Sequence, residues 1–345
     1  MRSGMSPPKR MLTLNPLFPG TWSRTTAPQR YSYAAVLLAV AVGLLAPAAA
    51  NWLLGPALLV GMVLLGVAHG ACDQFVVPAT HPALAHSPVR YWAGFLGGYL
   101  GLAAAVGALW WWQPGVAVAL FFALTAWHWG SADAPLARHR VQWVAHSLLR
   151  GGLLFGVPLW HRPTETQATV NGLLTLAGAT PVGMPAIAQA TAVLVPVVVV
   201  GHLLLWGSYV WQQQRHLVRT DAFEVLLLTV LLVVLPPILS GTVYFVYWHS
   251  LQHVLRMNQL MDRPTATAWG GLWTELRFFL RRSAPLLLIS VAGLAVLFGL
   301  AWARAAGPSV LVSLALLAAS VVTLPHALLV TLGMDAARWR VQGRE

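Results

Sequence analysis

Acidic residues are scarce in this chain: nine Asp and Glu stand against 21 Lys and Arg in 345 residues. Charged residues together make up 9% of it, where a soluble globular chain carries about 25%. A large soluble core is therefore excluded as the main architecture. There is one cysteine, Cys72, so an intrachain disulfide and a Cys-rich zinc or iron–sulfur site are excluded as well. No Glu-x-x-His pair occurs, which removes the carboxylate di-iron bundle. There is no His-His dipeptide and a single His-x-x-x-His pair. No repeat of solenoid period is visible.

What remains is apolar. Hydrophobic residues are 58% of the chain, and a stretch of about 20 of them spans a bilayer as a helix. That ruler predicts an all-α polytopic bundle of about ten helices (eight to ten), near 33–50, 53–72, 91–112, 115–130, 141–160, 186–211, 222–239, 241–260, 284–304 and 307–333. Residues 161–185 are too polar and too broken by Pro and Gly to span, and read as an interfacial loop or short helix. Residues 1–30 are basic, Pro-containing and free of acids, and read as a disordered tail. Residues 31–335 form one transmembrane bundle, and 336–345 a cytoplasmic tail. The run at 31–50 ends in Ala46-Pro47-Ala48-Ala49-Ala50, like a cleavable secretory segment. The basic stretch ahead of it is long for one, so a retained first helix is expected. Seventeen Trp and seven Tyr suit interfacial belts.

The net charge of +12 resembles a nucleic-acid signal, but basic residues also collect in cytoplasmic loops. No nucleic-acid partner is needed to explain it.

The chemistry centres on Tyr244–Arg256, an apolar run that carries His249 and His253. Residues at i and i+4 share a helix face, about 6 Å apart between Cβ atoms, so both imidazoles can reach one metal ion. A single His in an apolar helix is ordinarily a packed, hydrogen-bonded residue. Here, however, the helix ruler also puts His69, His128, His146, His202 and His326 at a similar inner depth, and ionisable groups within a bilayer are functional by default. His69 is followed four residues later by Asp73, and His128 five residues later by Asp133. A carboxylate at such a place can orient a ligating imidazole, ligate directly or simply end the helix. Tyr244 can face a cavity or pack as core, and Arg150 within its helix requires Asp73, Asp133 or an anion as partner. Imidazole suits Zn, Cu, Fe and Ni. Catalytic zinc usually takes three protein ligands, and no general-base Glu follows any of these His. Mononuclear non-haem iron fits the four-imidazole set best.

These residues also resemble a known family. His69-Gly70-Ala71-Cys72-Asp73, Trp127-His128-Trp129-Gly130, Tyr244 to His253 and Pro325-His326 fall in the order seen in the Brp/Blh family of membrane β-carotene oxygenases. The resemblance covers about residues 60–335, and the 244–253 block is its most specific part. Ala68 stands where Pro is common in the family, and Gln74 where a further His is common. The resemblance implies cleavage of β-carotene at its central 15,15′ double bond by dioxygen, giving two all-trans-retinal. It implies Fe(2+) held by His69, His128, His249 and His253, with Asp73, Asp133, Tyr244 and His326 in support. It further implies a multi-pass protein of the bacterial inner membrane whose product serves a microbial rhodopsin. The rival readings are a di-iron membrane desaturase or hydroxylase, which needs about eight clustered His, and a haem-binding or transport protein.

Orientation follows from charge. With the N-terminus inside, Arg90, Arg138, Arg140, Arg215, Arg219, Arg263, Arg277, Arg281, Arg282, Arg338, Arg340 and Arg344 fall in cytoplasmic segments, and only Arg162 and Arg304 fall outside. Both termini are therefore expected in the cytoplasm. Reporter fusions after residue 20 and at the C-terminus check this: both should report a cytoplasmic location, and a periplasmic C-terminus would mean an odd number of crossings.

Overall fold

The computed structural model describes residues 27–135, 139–261 and 271–339, and among these it is helical with no strand. Eleven helical segments follow one another. They are α1 (Ala27–Leu45), α2 (Ala50–Gly61, continued by a π turn at Met62–Val67), α3 (Pro88–Trp112), α4 (Pro114–Asp133), α5 (Arg140–His161), α6 (Pro163–Leu176), α7 (Met184–Trp211), α8 (Arg215–Val234), α9 (Pro237–Val243), α10 (Leu272–Ala303) and α11 (Pro308–Leu329). Segment α9 runs on through a second π turn, Tyr244–Ser250, into Leu251–Leu260, and α11 through a third, Val330–Met334. Each of the ten expected helices has a counterpart. The eleventh is α6, the polar stretch set aside as a loop or short helix. The expected tail at 1–30 lies outside the described residues up to position 26, while residues 27–30 already belong to α1. Of the expected C-terminal tail, Ala336–Trp339 is a short helix and the rest lies outside the described residues.

Proline sets many of the helix starts. Pro88, Pro114, Pro163, Pro237 and Pro308 open their helices, where the missing N–H has no intrahelical partner to lose. Six of the segments are long and apolar enough to cross a membrane. Their outer faces are covered with exposed Leu, Val and Ile, such as Leu203, Leu204, Leu288 and Ile289. Exposed Trp111, Trp112, Trp160, Trp211 and Trp302 sit at or near helix ends, as an interfacial belt requires. The chain is a multi-pass membrane protein.

Two devices hold the middle of the bundle. The first is a backbone crossing of α4 and α5. A Cβ on Gly130 would lie 1.8 Å from the Ser147 carbonyl oxygen, and one on Gly151 would lie 2.0 Å from that of Ala126. Apolar helices in lipid gain no hydrophobic free energy from association, so close backbone approach at small residues drives their packing. The second is an ion cluster. The fully buried Arg150 donates through one terminal nitrogen to Asp221 at 2.6 Å and to Glu224 at 2.7 Å, both on α8. Trp206 Nε1 donates to the other Asp221 oxygen at 2.6 Å, and Tyr33 donates to Glu224 at 2.6 Å. His146 lies 3.0 Å from Asp221 and 3.1 Å from the Tyr209 hydroxyl. The expected partners of Arg150, Asp73 or Asp133, are thus corrected to Asp221 and Glu224, because α8 faces α5 at that level.

The crossing predicts a sign change between two glycines. Gly→Ala in an exposed helix gains about 1 kcal/mol of propensity, and Gly207, with nothing within 4 Å of its would-be Cβ, should show that gain or no change. At Gly130 or Gly151 the added methyl meets backbone, and overpacking costs about 1–3 kcal/mol or more. Thermal unfolding in detergent, followed by tryptophan fluorescence, should show Gly130→Ala and Gly151→Ala clearly below wild type and Gly207→Ala at or above it.

Candidate metal centre

The site is built from four chain segments, and three of them carry a π turn beside the site. Met62–Val67 leads into His69, Tyr244–Ser250 contains His249, and Val330–Met334 follows His326. A π turn inserts a residue into the helix, re-aims the side chains beyond it, and is frequent at functional sites. His128 comes from α4, next to the Gly130 crossing, and His253 from the helix that continues the second π turn.

Five imidazoles share one buried space. The ring nitrogens of His69, His128 and His326 that could serve as ligands lie within 4.8 Å of one another. His249 Nε2 is 3.1 Å from His128 Nε2. The His253 ring is stacked on His249 at 6.2 Å between centroids and lies 5.3 Å from both His69 and His326. All five side chains are at most 6% exposed. The structure therefore brings His69, His128, His249 and His253 together as the sequence suggested, and places His326 among them rather than behind them.

The polar atoms do not balance internally. His326 Nδ1 donates to the Asp73 carboxylate, 2.9 Å from each oxygen, which leaves Nε2 without a partner. His128 Nδ1, His249 Nδ1 and both nitrogens of His253 are likewise buried without a hydrogen bond. His69 Nδ1 lies 3.3 Å from the Leu65 carbonyl and 3.4 Å from Ser250 Oγ. Unpartnered buried polar atoms are rare and costly. A cluster of neutral imidazoles with free lone pairs is a donor set for a borderline metal ion, so the residues fit a metal.

The two expected carboxylates do other work than their sequence spacing suggested. Asp73 lies four residues after His69 but binds His326, 253 positions away, and accepts from the Tyr99 hydroxyl at 3.1 Å. The chain breaks from its helix at Ala71 and Cys72, which turns Asp73 off the His69 face. Asp133 accepts from Tyr244 at 2.8 Å, not from His128. That bond ties the end of α4 to the first residue of the π turn that carries His249. Gln74 is buried with its side-chain Oε1 unpartnered, and its backbone carbonyl accepts from the Tyr91 hydroxyl. His146 and His202 do not join the five. The first belongs to the ion cluster, and the second is anchored on the Val198 carbonyl at 2.8 Å.

One margin of the centre carries Arg256, bonded to the buried Asp335 at 2.7 Å. Arg338 lies 3.5 Å from the same carboxylate, and its burial pushes the guanidinium down to about 10. It stays charged at neutral pH and offsets Asp335. On the flank formed by α2 and α10, an apolar groove of about 490 Å³ is lined by Pro56, Val60, Gly61, Leu65, Tyr247 and Trp273 among others. Leu65 belongs to both groove and centre, since its carbonyl faces His69.

Comparisons with known proteins identify the family. The model of the beta-carotene 15,15'-dioxygenase family matches residues 60–334. A curated protein of Halobacterium salinarum, described as probable beta-carotene 15,15'-dioxygenase Blh, is 32% identical over 311 residues, covering 83% of this chain and 84% of the relative. No solved structure matches the chain. The matched region begins just ahead of the first π turn and ends at the last residue of the third, so it contains all five histidines. With a family model that spans most of its length and a relative aligned over nearly all of the bundle, this chain belongs to the beta-carotene 15,15'-dioxygenase family.

Proposed function

We propose that the protein cleaves β-carotene at its central 15,15′ double bond, using dioxygen, to give two all-trans-retinal at a mononuclear Fe(II) held by His69, His128, His249 and His253. The stoichiometry balances without a further reductant: one carbon–carbon double bond and one dioxygen become two aldehydes. The observation that carries the reading is the convergence of buried imidazoles with unpartnered nitrogens inside a membrane bundle of this family. Bound ferrous iron would supply the redox partner through which dioxygen can react with a closed-shell polyene.

The protein's own residues supply the rest. Neutral imidazoles leave the metal its full positive charge. Asp73 fixes the tautomer of His326, and the Asp133–Tyr244 bond fixes the turn from which His249 projects. Walls of Phe245, Trp129 and Leu65 keep bulk water from the centre. A lipid-dissolved polyene reaches such a centre sideways from the bilayer, which is read here as the bacterial inner membrane. Retinal released into the same membrane would be at hand for a microbial rhodopsin. One specific observation favours a variant ligand set: His69, His128 and His326 form the tightest trio, so His326 competes with the helix pair for a place on the metal.

Co-expression in a bacterial host that makes β-carotene tests the function directly: the yellow colour should fade as retinal appears. The purified protein should carry close to one iron per chain and show no Soret band. Two irons would favour the di-iron desaturase reading, and a Soret band a haem protein.

His249→Ala and His253→Ala should each insert normally but lose iron or turnover, read by metal analysis and retinal formation. His326→Ala decides the ligand set. Iron lost to the same extent as in the other two makes His326 a ligand, and iron retained with slower turnover keeps it a support.

Asp73→Asn keeps a hydrogen-bond acceptor but loses the charge. Removing such a partner of an imidazole costs about 10–100-fold in metal affinity or activity. Asp73→Asn should therefore fall within that range, and Asp133→Asn should fall less, since it acts only through Tyr244. Iron affinity and turnover of Asp73→Asn equal to wild type would remove Asp73 from the centre.

A further inference from the structure

A row of aromatic rings leads away from the five histidines. Phe245 begins it, with its ring 5.5 Å from His69 and stacked on His249 at 6.1 Å and 17°. Trp129 is next, 5.7 Å from Phe245 and 5.9 Å from His249. Phe155 stacks on Trp129 at 6.2 Å with planes only 13° apart, and Phe122 meets Phe155 edge-on at 5.4 Å. On α4, Phe122 lies six residues before His128, so the row climbs roughly 9 Å along that helix at 1.5 Å per residue.

Core packing alone does not account for the row. The aromatic rings that fill this bundle, Trp143, Tyr209, Tyr244 and Trp248, are 0–2% exposed. Phe245, Trp129, Phe155 and Phe122 are only half-buried, although Phe245 and Trp129 touch buried imidazoles. Phe245 is flanked in sequence by the fully buried Tyr244 and Val246. The row therefore runs from the buried histidines along rings that each keep part of their surface accessible. Its positions are also fixed from behind. A Cβ on Gly66 would lie 2.9 Å from the Phe245 ring, and the Gly130–Gly151 crossing sets Trp129 of α4 against Phe155 of α5.

A carotene has no polar atom with which a protein could hold it. Shape and contact with flat apolar faces are the only means of setting its register, and cleavage at the centre requires that the arm from the middle to the ring end be measured. Resting on the dioxygenase reading above, we propose that Phe245, Trp129, Phe155 and Phe122 form the wall that binds one arm of the polyene. Phe122 stands at the far end, and the row selects which double bond lies at the histidines.

The test uses the full-length, iron-loaded protein in detergent with β-carotene, and separates products by length. Phe155→Ala and Phe122→Ala should raise KM about tenfold and release apocarotenoids of unequal length alongside retinal, with iron content unchanged. Phe155→Leu and Phe122→Leu keep most of the volume but lose the flat face, and should show the same effects in weaker form if the alanine variants fold poorly. Trp302→Ala, on the lipid-facing surface, should match wild type. A second readout is independent of cleavage: the iron-free row variants, purified from a carotenoid-producing host, should retain several-fold less carotenoid than the iron-free wild type. That loss supports the row even where wild type fails to cleave, so the two readings fail separately. Retinal as sole product, with KM and carotenoid retention at wild-type values in all four variants, would overturn the proposal and return the row to packing.

Discussion

Everything in this structure depends on bringing five imidazoles together in the buried middle of an apolar bundle. A neutral imidazole has a donor and an acceptor, and five of the ten ring nitrogens here are buried without a hydrogen-bond partner. In a membrane interior such atoms cost several kcal/mol each, in order of magnitude. Coordination of the proposed metal would turn that cost into affinity, because the lone pairs left free by the protein are the ones a metal ion takes up. The same logic explains the single carboxylate at the centre. Asp73 satisfies the outward nitrogen of one ring, and further acids would neutralise the metal and draw in water.

Holding five rings in one place requires rigid backbone, and the bundle supplies it by contact rather than by hydrophobic collapse. Gly130 brings α4 against α5 directly beside His128. Tyr244 and Asp133 join α4 to the segment that carries His249 and His253. The three π turns then aim the rings. A regular helix offers one side chain per 100° of turn, and three insertions give the segments the adjustment that five convergent imidazoles need.

Much of this was legible in the sequence, for identifiable reasons. Apolar runs of bilayer length gave the helices. His249 and His253 stood out because their spacing is a helix period, and His69 and His128 because small residues and an acid follow each. The remainder depends on contacts between distant segments. Asp73 is four residues from His69, and local spacing pointed to that ring; its partner is His326, brought in by a helix 253 positions later. His326 itself has only a preceding proline to mark it. The π turns leave no trace in composition. His146 and His202 share the depth of the five clustered histidines in the sequence reading but lie apart from them, since depth along a helix says nothing about which way the helix faces. Arg150 visibly required a partner, and the sequence offered Asp73, Asp133 or an anion; the two acids it binds lie on α8, which only the packing of α8 against α5 reveals.

The ion cluster has a consequence for how the protein comes to be in the membrane at all. Helices α5 and α8 are not among the six strongly apolar spans, and they carry Arg150 on one side and Asp221 and Glu224 on the other. An arginine at the centre of a lone helix costs about 2.5–3.5 kcal/mol on insertion scales, and both carboxylates that Arg150 binds are synthesised only with α8. Seventy-one residues, including the long apolar α7, separate Arg150 from Asp221. The charge of α5 is therefore offset only once α8 is present, which makes the two helices a unit for insertion, and the backbone face against which His128 is set belongs to that unit.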